Sequence, residues 1–399
     1  MKIRIALIFG GRSVEHEVSV ISALQAMANM DSEKYEIYPV YMTKENEFYY
    51  GEKTGDIEAY RQIPSLLSSS ERVILINDNK RFYLVNYPSK KFGGNTKIEV
   101  DIAFPVVHGT NVEDGTLMGH LKTIGIPFVG CDVTSAAVGM DKYLQKTAFR
   151  YNDIPVLDCL RFTLADYSDM DSLAKKTEEK IGYPVIVKPV NSGSSVGIMV
   201  ADDRNGLIKA VDNAFLFTNT ILIEKAVKNL REINCSVLGD AADAKASPCE
   251  EPFHTDEILS YEDKYLSGGK GSKGSKETGA SGSKGMASLQ RKIPADIPDE
   301  LSERIRELSV KAFKVLDCSG VVRFDFILDE DTKELFLNEI NTIPGSLSFY
   351  LWEADGMSYK ELLDRLIELA LKRARDNRRV NFSFETNLLD KASFSGAKK

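Results

Sequence analysis

The chain has 399 residues, of which 43% are hydrophobic and 28% charged, and its 51 basic and 59 acidic side chains give a net charge of −8. This composition predicts a soluble protein of about two or three domains and excludes disordered and collagen-like classes. The acidic balance argues against nucleic-acid or anionic-membrane binding, because phosphates require clustered basic charge. No apolar run approaches the roughly 18 residues of a membrane span, and the five cysteines form no CxxC pair. We therefore expect a cytoplasmic protein without zinc or disulfides.

An α/β domain with a Rossmann-like parallel sheet is predicted for residues 1–135. Its first strand is apolar and ends at a pair of glycines, and a helix and a second strand follow. This order is typical of parallel sheets, whose ligands bind at the carboxyl ends of the strands. A hairpin-like excursion of short strands then precedes a strand that returns to the sheet. The predicted strands are 3–9, 35–42, 47–50, 72–77, 81–85, 101–107 and 127–129, and the predicted helices are 22–30 and 115–124.

Two α+β lobes are predicted to follow, at 136–228 and 229–375, with a C-terminal tail at 376–399. Residues 267–285 are almost entirely Gly, Ser and Lys, so we expect a mobile loop there, either an active-site lid or a neutral insertion. The predicted helices are 136–152, 206–215, 299–316 and 358–375, and the predicted strands are 184–189, 198–201, 220–225, 233–238, 320–328 and 334–340.

The segment 184–197, PVIVKPVNSGSSVG, has the composition of a phosphate-binding loop. Lys188 near the end of a strand supplies a positive charge, and the Gly/Ser turn lets backbone N–H groups approach a phosphate closely. The helix-linked GxxxxGK[ST] pattern is absent, so the segment is not a Walker A motif. The alternative is a tight hairpin turn with a lysine that reaches solvent.

A second constellation consists of Arg323 and Asp325 on one predicted strand and Glu339 and Asn341 on the next. Each pair is two residues apart, so its members project to the same face of an extended strand. A hairpin would bring the four polar groups together. Their oxygens suit Mg²⁺ bound to ATP phosphates, and the arginine suits developing charge. The alternative is a half-exposed hairpin whose charges face water.

Two turns near the N-terminus complete the candidate sites. The glycine turn after the first strand leads into Glu15, His16 and Glu17, and His108 follows another strand, with Glu113 a few residues later. Both turns lie at carboxyl ends of strands, where ligands bind in parallel sheets. Simple helix capping by the acidic residues and a structural role for the histidine are the alternatives.

These segments together resemble the D-alanine:D-alanine ligases of the ATP-grasp superfamily, from residue 1 to about residue 372. The resemblance implies an ATP-grasp fold, in which an N-terminal domain precedes two lobes that clasp ATP. It also implies phosphorylation of one D-alanine carboxylate by ATP and attack by the amine of a second D-amino acid, for peptidoglycan precursor synthesis. The motifs are FGGRSVEHEVSVISA, VVHGTNVEDGTLMGHL, GMDKYLQK, YPVIVKPVNSGSSVGI, ILIEKAVKNLREINCSVLG, SYEDKYL, VVRFDFIL and FLNEINTIPG.

The resemblance assigns roles to individual residues. Glu15 would hold the ammonium of the first D-alanine in a hydrogen-bonded triad with Ser194 and Tyr265. Arg323 and the N–H of Gly345 would stabilise the tetrahedral intermediate. The residues that would bind ATP are Lys142, Lys188 and Lys264 at the phosphates, Ser194 and Ser195 in the loop, Glu224 and Lys225 at the adenine and Glu232 at the ribose. The residues that would bind two Mg²⁺ or Mn²⁺ ions are Asp325, Asn341 and a bridging Glu339, and His108 would contact substrate.

The chain departs from the family pattern around the second substrate. Five residues after the glycine of NTIPG, family members usually carry a serine for the acceptor carboxylate, whereas this chain has Tyr350. Ser346 and Ser348 are the candidate replacements. The acceptor is therefore left open between D-alanine and another D-amino acid, such as D-serine, or another amine. The family also suggests a homodimer, and a non-catalytic ATP-binding protein is the alternative from another class.

Overall fold

The computed structural model describes residues 2–91, 93–252, 291–381 and 383. A seven-stranded sheet forms the N-terminal domain, with strand order β6-β5-β4-β3-β2-β1-β7. Among the described strands, β1 pairs in parallel with β2 and β7 and the other neighbours pair antiparallel, so the predicted parallel sheet is in fact mixed. The predicted strand at 127–129 forms an isolated parallel bridge, between Phe128 and Ala103. The connections from β2 to β5 include short turns, which join antiparallel neighbours. The strands are β1 (Ile3–Gly10), β2 (Tyr35–Met42), β3 (Phe48–Tyr50), β4 (Glu71–Asp78), β5 (Arg81–Asn86), β6 (Lys97–Val100) and β7 (Ile102–Val106).

Three helices accompany this sheet: α1 (His16–Asn29), α2 (Ile63–Ser68) and α3 (Thr116–Ile124). Helix α1 begins six residues before the predicted helix at 22–30, because His16, Val18 and Ser19 are buried against the sheet. The hydroxyl of Ser19 accepts from the N–H of Gly10 and donates to the carbonyl of Val106. This buried contact fixes the start of α1 over the carboxyl ends of β1 and β7.

The central lobe contains a four-stranded antiparallel sheet in the order β10-β9-β11-β8. Its strands are β8 (Cys159–Thr163), β9 (Val185–Pro189), β10 (Met199–Ala201) and β11 (Thr220–Lys225), and its helices are α6 (Met170–Lys180) and α7 (Arg204–Ala214). The predicted helix at 136–152 is wrong, because two helices, α4 (Val133–Met140) and α5 (Lys142–Tyr151), meet at Asp141. The Asp141 carboxylate accepts from the N–H groups of Tyr143 and Leu144 and so caps α5.

The C-terminal lobe contains a five-stranded antiparallel sheet in the order β14-β13-β12-β15-β16. Its strands are β12 (Leu230–Gly239), β13 (Ala244–Pro252), β14 (Arg291–Lys292), β15 (Gly320–Asp329) and β16 (Leu335–Asn341). Its helices are α8 (Asp299–Val315), α9 (Phe349–Ala354) and α10 (Tyr359–Asn377). The predicted loop at 267–285 and nearly all of the chain after 381 lie outside the described residues.

The apolar face of α10 packs into the N-terminal core. Leu362, Leu363 and Leu366 belong to the same buried cluster as Ile5 and Leu7 of β1. The C-terminal helix therefore fastens the last lobe to the first domain. Within the described ranges, no helix is long and apolar enough to cross a membrane.

Candidate active site

A cavity at the junction of the three sheets is lined by nine of the predicted site residues. It encloses about 920 Å³ between its walls, including its open mouth. The predicted residues that line it are Glu15, His108, Lys142, Ser194, Glu232, Arg323, Glu339, Asn341 and Gly345. Further lining residues, for which the sequence predicted no role in the site, include Gln145, Asn234, Glu250 and Arg291.

Strands β15 and β16 place the second constellation on one wall, as the alternation of residues predicts. Arg323 lies opposite Asn341, and Asp325 lies opposite Glu339. The guanidinium of Arg323 donates two hydrogen bonds of 2.7 Å to the Asp325 carboxylate, and the Asn341 amide donates a third of 2.9 Å. Arg323 and Asp325 are only 8% and 4% exposed. The alternative of a hairpin whose charges face water is therefore wrong for this pair.

The same wall fits a divalent cation in its donor chemistry. Burial raises the pKa of Asp325 to about 6, Arg323 opposes this rise, and the nearby carboxylates of Glu232 and Glu339 add to it. Such excess negative charge is relieved by a cation, and carboxylate and amide oxygens are the donors that Mg²⁺ and Mn²⁺ prefer. In the described part of the chain, no three His, Cys, Asp or Glu side chains form a metal cluster by themselves. Two carboxylates and an amide, those of Asp325, Glu339 and Asn341, are the oxygen donors that this wall offers.

A buried charge network lies in the central lobe, and its residues Glu224, Lys146 and Lys188 do not line the cavity. Glu224 on β11 is fully buried, and its two oxygens lie 2.8 Å from the ammonium groups of Lys146 and Lys188. Lys188 also donates to the side chain of Asn338 at 3.0 Å. Burial alone would raise the pKa of Glu224, but the two lysines hold this pKa at about 2. Lys188 is therefore a buried, paired lysine and not one that reaches solvent.

Lys146 is a further member of this network; it ends the motif GMDKYLQK, but the sequence predicted no role for it. It lies one helical turn after Lys142 on α5, so the two lysines share a face of the helix. Lys225, by contrast, is exposed, and its ammonium donates to the carbonyls of Gly182 and Tyr183. Its side chain thus binds the turn before β9 and lines no part of the cavity.

The Gly/Ser loop after β9 closes over the N-terminal domain. Ser194 donates to the Glu15 carboxylate, and Lys142 donates to the carbonyl of Ser192 at 2.7 Å. A side chain at Gly193 would place its Cβ 2.4 Å from the Glu15 carboxylate, so any larger residue would displace that carboxylate. Ser195 follows in the left-handed region, with a φ of 59°. Tyr265 and Lys264, the other expected partners of this loop, lie outside the described residues.

His108 and Glu113 connect the N-terminal domain to the turn after β16. His108 Nδ1 lies 2.8 Å from the carbonyl of Ile343, which requires it to donate, and Nε2 then accepts from the Ser22 hydroxyl at 3.1 Å. Burial lowers the pKa of His108 and keeps it neutral. Glu113 accepts from the N–H groups of Gly109 and Ile343, and burial raises its pKa to about 7. Both side chains hold the segment that presents Gly345.

The turn after Gly345 has an unusual backbone. Ser346, Leu347 and Ser348 all have left-handed φ values, of 51°, 53° and 49°. Such a conformation costs roughly 1–2 kcal/mol per non-glycine residue, and packing must compensate for it. The N–H of Ser346 donates to the Ser22 hydroxyl, and its own hydroxyl donates to Gln25 on α1. The Ser346 hydroxyl therefore faces α1, whereas the Ser348 hydroxyl is buried without a hydrogen-bond partner among the described residues.

A three-part architecture with a buried lysine–glutamate network and an Arg/Asp/Glu/Asn wall defines an ATP-grasp enzyme, which supports the predicted fold class. Family models described as D-ala D-ala ligase N-terminus and C-terminus match residues 4–131 and 149–368. The chain thus belongs to the D-alanine–D-alanine ligase family, as the sequence motifs indicate. A D-alanine–D-alanine ligase of Acetivibrio thermocellus is 39% identical over 94% of this chain and 98% of its own length. One of Ruminiclostridium cellulolyticum is 40% identical over 98% of this chain and 100% of its own length.

Solved structures give the same assignment of the fold. The D-alanine-D-alanine ligase from Coxiella burnetii superimposes with a TM-score of 0.77 at 27% identity, covering 95% of this chain and 96% of that one. The VanG D-Ala:D-Ser ligase from Enterococcus faecalis gives a TM-score of 0.74 at 30% identity, covering 93% and 100%. The two structures carry different acceptors in their names, so the fold does not distinguish the acceptors.

Proposed function

We propose that this protein joins two D-alanine molecules into D-alanyl-D-alanine, with cleavage of ATP to ADP and phosphate. The observation that carries the proposal is the convergence of Glu15, Lys142, Arg323, Glu339 and Gly345 on one cavity. A carboxylate–amine ligation needs three kinds of group: a carboxylate to bind an ammonium group, cations to bind phosphate, and donors that stabilise an oxyanion.

The nucleotide lies between the central and C-terminal lobes in this proposal. Lys142 reaches both the carbonyl of Ser192 and, at 3.6 Å, the carboxylate of Glu339, so its charge is directed at the centre of the cavity. Lys188 acts from a fixed position, because Glu224 and Asn338 hold its ammonium. Glu232 lines the same cavity on β12 and is assigned to the ribose hydroxyls.

The first D-alanine binds with its ammonium group at Glu15, which the hydroxyl of Ser194 orients. A carboxylate oxygen of this D-alanine attacks the γ-phosphorus of ATP, and the bond from that phosphorus to the β–γ bridging oxygen breaks. ADP is released, and the D-alanine becomes an acylphosphate. Asp325, Glu339 and Asn341 would hold the divalent cations, which we propose to be two Mg²⁺ or Mn²⁺ ions. When bound, the cation supplies neutralisation of the phosphate charge.

The amine of the second D-alanine then attacks the acyl carbon. Arg323 and the N–H of Gly345 stabilise the negative oxygen of the tetrahedral intermediate, and phosphate leaves as the peptide bond forms. Arg323 is suited to this role because two hydrogen bonds to Asp325 fix its guanidinium before substrate binds. His108, through Ile343, holds the turn that presents Gly345.

We further propose a cytoplasmic location, a homodimer and a role in peptidoglycan precursor synthesis. The curated relatives that support the activity are named D-alanine–D-alanine ligase across several genera. D-serine as acceptor is the second candidate, which the tyrosine at position 350, in place of the usual serine, favours.

The test is a coupled assay of ADP release with D-alanine alone and then with D-alanine plus D-serine, with products identified by mass spectrometry. We expect D-alanyl-D-alanine from D-alanine alone, and the same dipeptide as the main product of the mixture. A predominance of D-alanyl-D-serine would support the second candidate. ATP hydrolysis without any dipeptide would contradict both.

A further inference from the structure

A cluster of Arg291, Glu250 and Tyr350 lies where β13 and β14 meet α9, apart from Asp325 and Glu339. Arg291 lies against the ring of Tyr350, with its guanidinium carbon 3.8 Å from the ring centre. Its Nη1 donates to the carboxylate of Glu250 at 2.8 Å, and the Tyr350 hydroxyl donates to the other oxygen of Glu250 at 3.2 Å. The three side chains thus fix one another.

This cluster faces the reaction centre. Arg291 and Glu250 both line the cavity that contains Arg323 and Gly345. Across the sheet, Glu250 of β13 lies opposite Asn234 of β12, and Asn234 lies opposite Asp325 of β15. The cluster is therefore two strands away from Asp325, in the same row of polar residues. Neighbouring strands are about 4.8 Å apart, which places β13 roughly 10 Å from β15.

Arg291 supplies a positive charge on a part of the cavity wall that also carries carboxylates. Glu232 and Glu250 make the wall acidic, and Arg323 already forms a double hydrogen bond with Asp325. Lys142 lies on the phosphate side, near Glu339. An incoming amino acid brings its own carboxylate, which an acidic wall would repel. The Arg291 side chain is only 10% exposed, so its charge acts in a poorly hydrated environment, where ion pairing is strong.

We propose that Arg291 binds the carboxylate of the acceptor amino acid, while Glu250 and the ring of Tyr350 orient its guanidinium. This inference rests on the proposed ligase function and assigns its second substrate subsite. The arginine presents several N–H donors in one plane, which suits a carboxylate, and the aromatic ring supports that plane. The proposal also gives a role to the tyrosine at position 350, which replaces the usual serine.

The competing explanation is that the ion pair between Arg291 and Glu250 is structural and only fastens β14 to β13. The two explanations differ for an acceptor that lacks a carboxylate. D-alaninamide has the same amine and methyl group as D-alanine, but it has a neutral amide in place of the carboxylate. An arginine that binds the acceptor carboxylate favours D-alanine over D-alaninamide, and a structural arginine affects both acceptors equally.

The experiment is a competition between the two acceptors in one reaction with ATP and Mg²⁺. Mass spectrometry gives the ratio of D-alanyl-D-alanine to D-alanyl-D-alaninamide, which does not depend on the fraction of folded enzyme or on donor binding. We expect a strong preference for D-alanine in the wild type. Arg291→Met should lower the ratio roughly 10- to 100-fold, as expected for the loss of a hydrogen-bonded charge pair. Arg291→Lys should give an intermediate ratio.

Arg231→Met is the matched control. Arg231 forms an arginine–glutamate pair with Glu251 in the same sheet, one residue out of step with Glu232 and Glu250 and therefore on the opposite face. Its product ratio should equal that of the wild type. Glu250→Gln keeps the Arg291 guanidinium but weakens the contact that orients it. This variant should lower the ratio of D-alanyl-D-alanine to D-alanyl-D-alaninamide several-fold.

The outcomes separate this inference from the function on which it rests. Wild-type enzyme that forms neither product would contradict the proposed function. Wild-type enzyme that forms dipeptide, together with an unchanged product ratio in Arg291→Met, would overturn only the role of Arg291. Equal losses of both products in Arg291→Met would assign the pair to structure and also overturn it.

Discussion

Replacing Glu224 with glutamine is expected to lower the free energy of unfolding by about 3 kcal/mol near pH 7. The carboxylate is fully buried between Lys146 and Lys188, with both ammonium groups 2.8 Å away. Its pKa falls from 4.5 to about 2 on folding, and a unit of pKa corresponds to ~1.4 kcal/mol. Removing one partner of a buried ion pair typically costs about 3–5 kcal/mol, which agrees with this figure.

The assay is urea unfolding followed by circular dichroism, with the wild type and the variant compared across pH. Because the pKa of Glu224 is lowered in the folded state, its stabilisation is complete above pH 4.5 and declines as the pH falls towards 2. Glu178→Gln, which removes an exposed carboxylate of α6, is the control and should change stability by less than about 0.5 kcal/mol. A loss below about 1 kcal/mol for Glu224→Gln at pH 7 would refute the reasoning.

Three further predictions concern the cavity. Glu339→Gln should reduce kcat, measured by ADP release, at least about 100-fold, and near-normal turnover would contradict a metal-binding role. The free energy of unfolding in urea should change by less than about 1 kcal/mol, because the Glu339 side chain is 29% exposed. Ser194→Ala should raise the KM for D-alanine about tenfold through loss of its hydrogen bond to Glu15, and an unchanged KM would oppose this. The pKa of Glu113 is raised to about 7 in the folded state, so folding favours its protonated form and stability falls as the pH rises. Between pH 5 and 7 the free energy of unfolding of the wild type should fall by about 1.4 kcal/mol per pH unit relative to Glu113→Gln, and parallel profiles in urea unfolding would contradict the buried acid.

The wall formed by β15 and β16 could be predicted from sequence because its signal is local. A strand places every second residue on one face, so the spacing of Arg323 and Asp325 was enough to bring them together with Glu339 and Asn341. The glycine turn after β1 and the Gly/Ser loop after β9 could be predicted for the same reason. Turn chemistry is also encoded within a few residues.

The remaining features depend on contacts between distant segments. Lys146 is a polar helix residue whose burial becomes evident only when β11 brings Glu224 to it. Arg291 meets Tyr350 through the pairing of β14 with β13, for which a two-residue strand gives no periodic signal. Likewise, α10 completes the N-terminal core from the other end of the chain, and nothing in its own amphipathic pattern specifies that partner.

The central claim, that ligation proceeds through an acylphosphate of D-alanine, has one direct test. The wild-type protein is incubated with ATP, Mg²⁺ and D-alanine labelled with ¹⁸O in its carboxylate, and the dipeptide and the inorganic phosphate are analysed by mass spectrometry. We expect D-alanyl-D-alanine together with one ¹⁸O atom transferred to phosphate in each turnover. Phosphate without ¹⁸O, or phosphate release without dipeptide, would contradict the account.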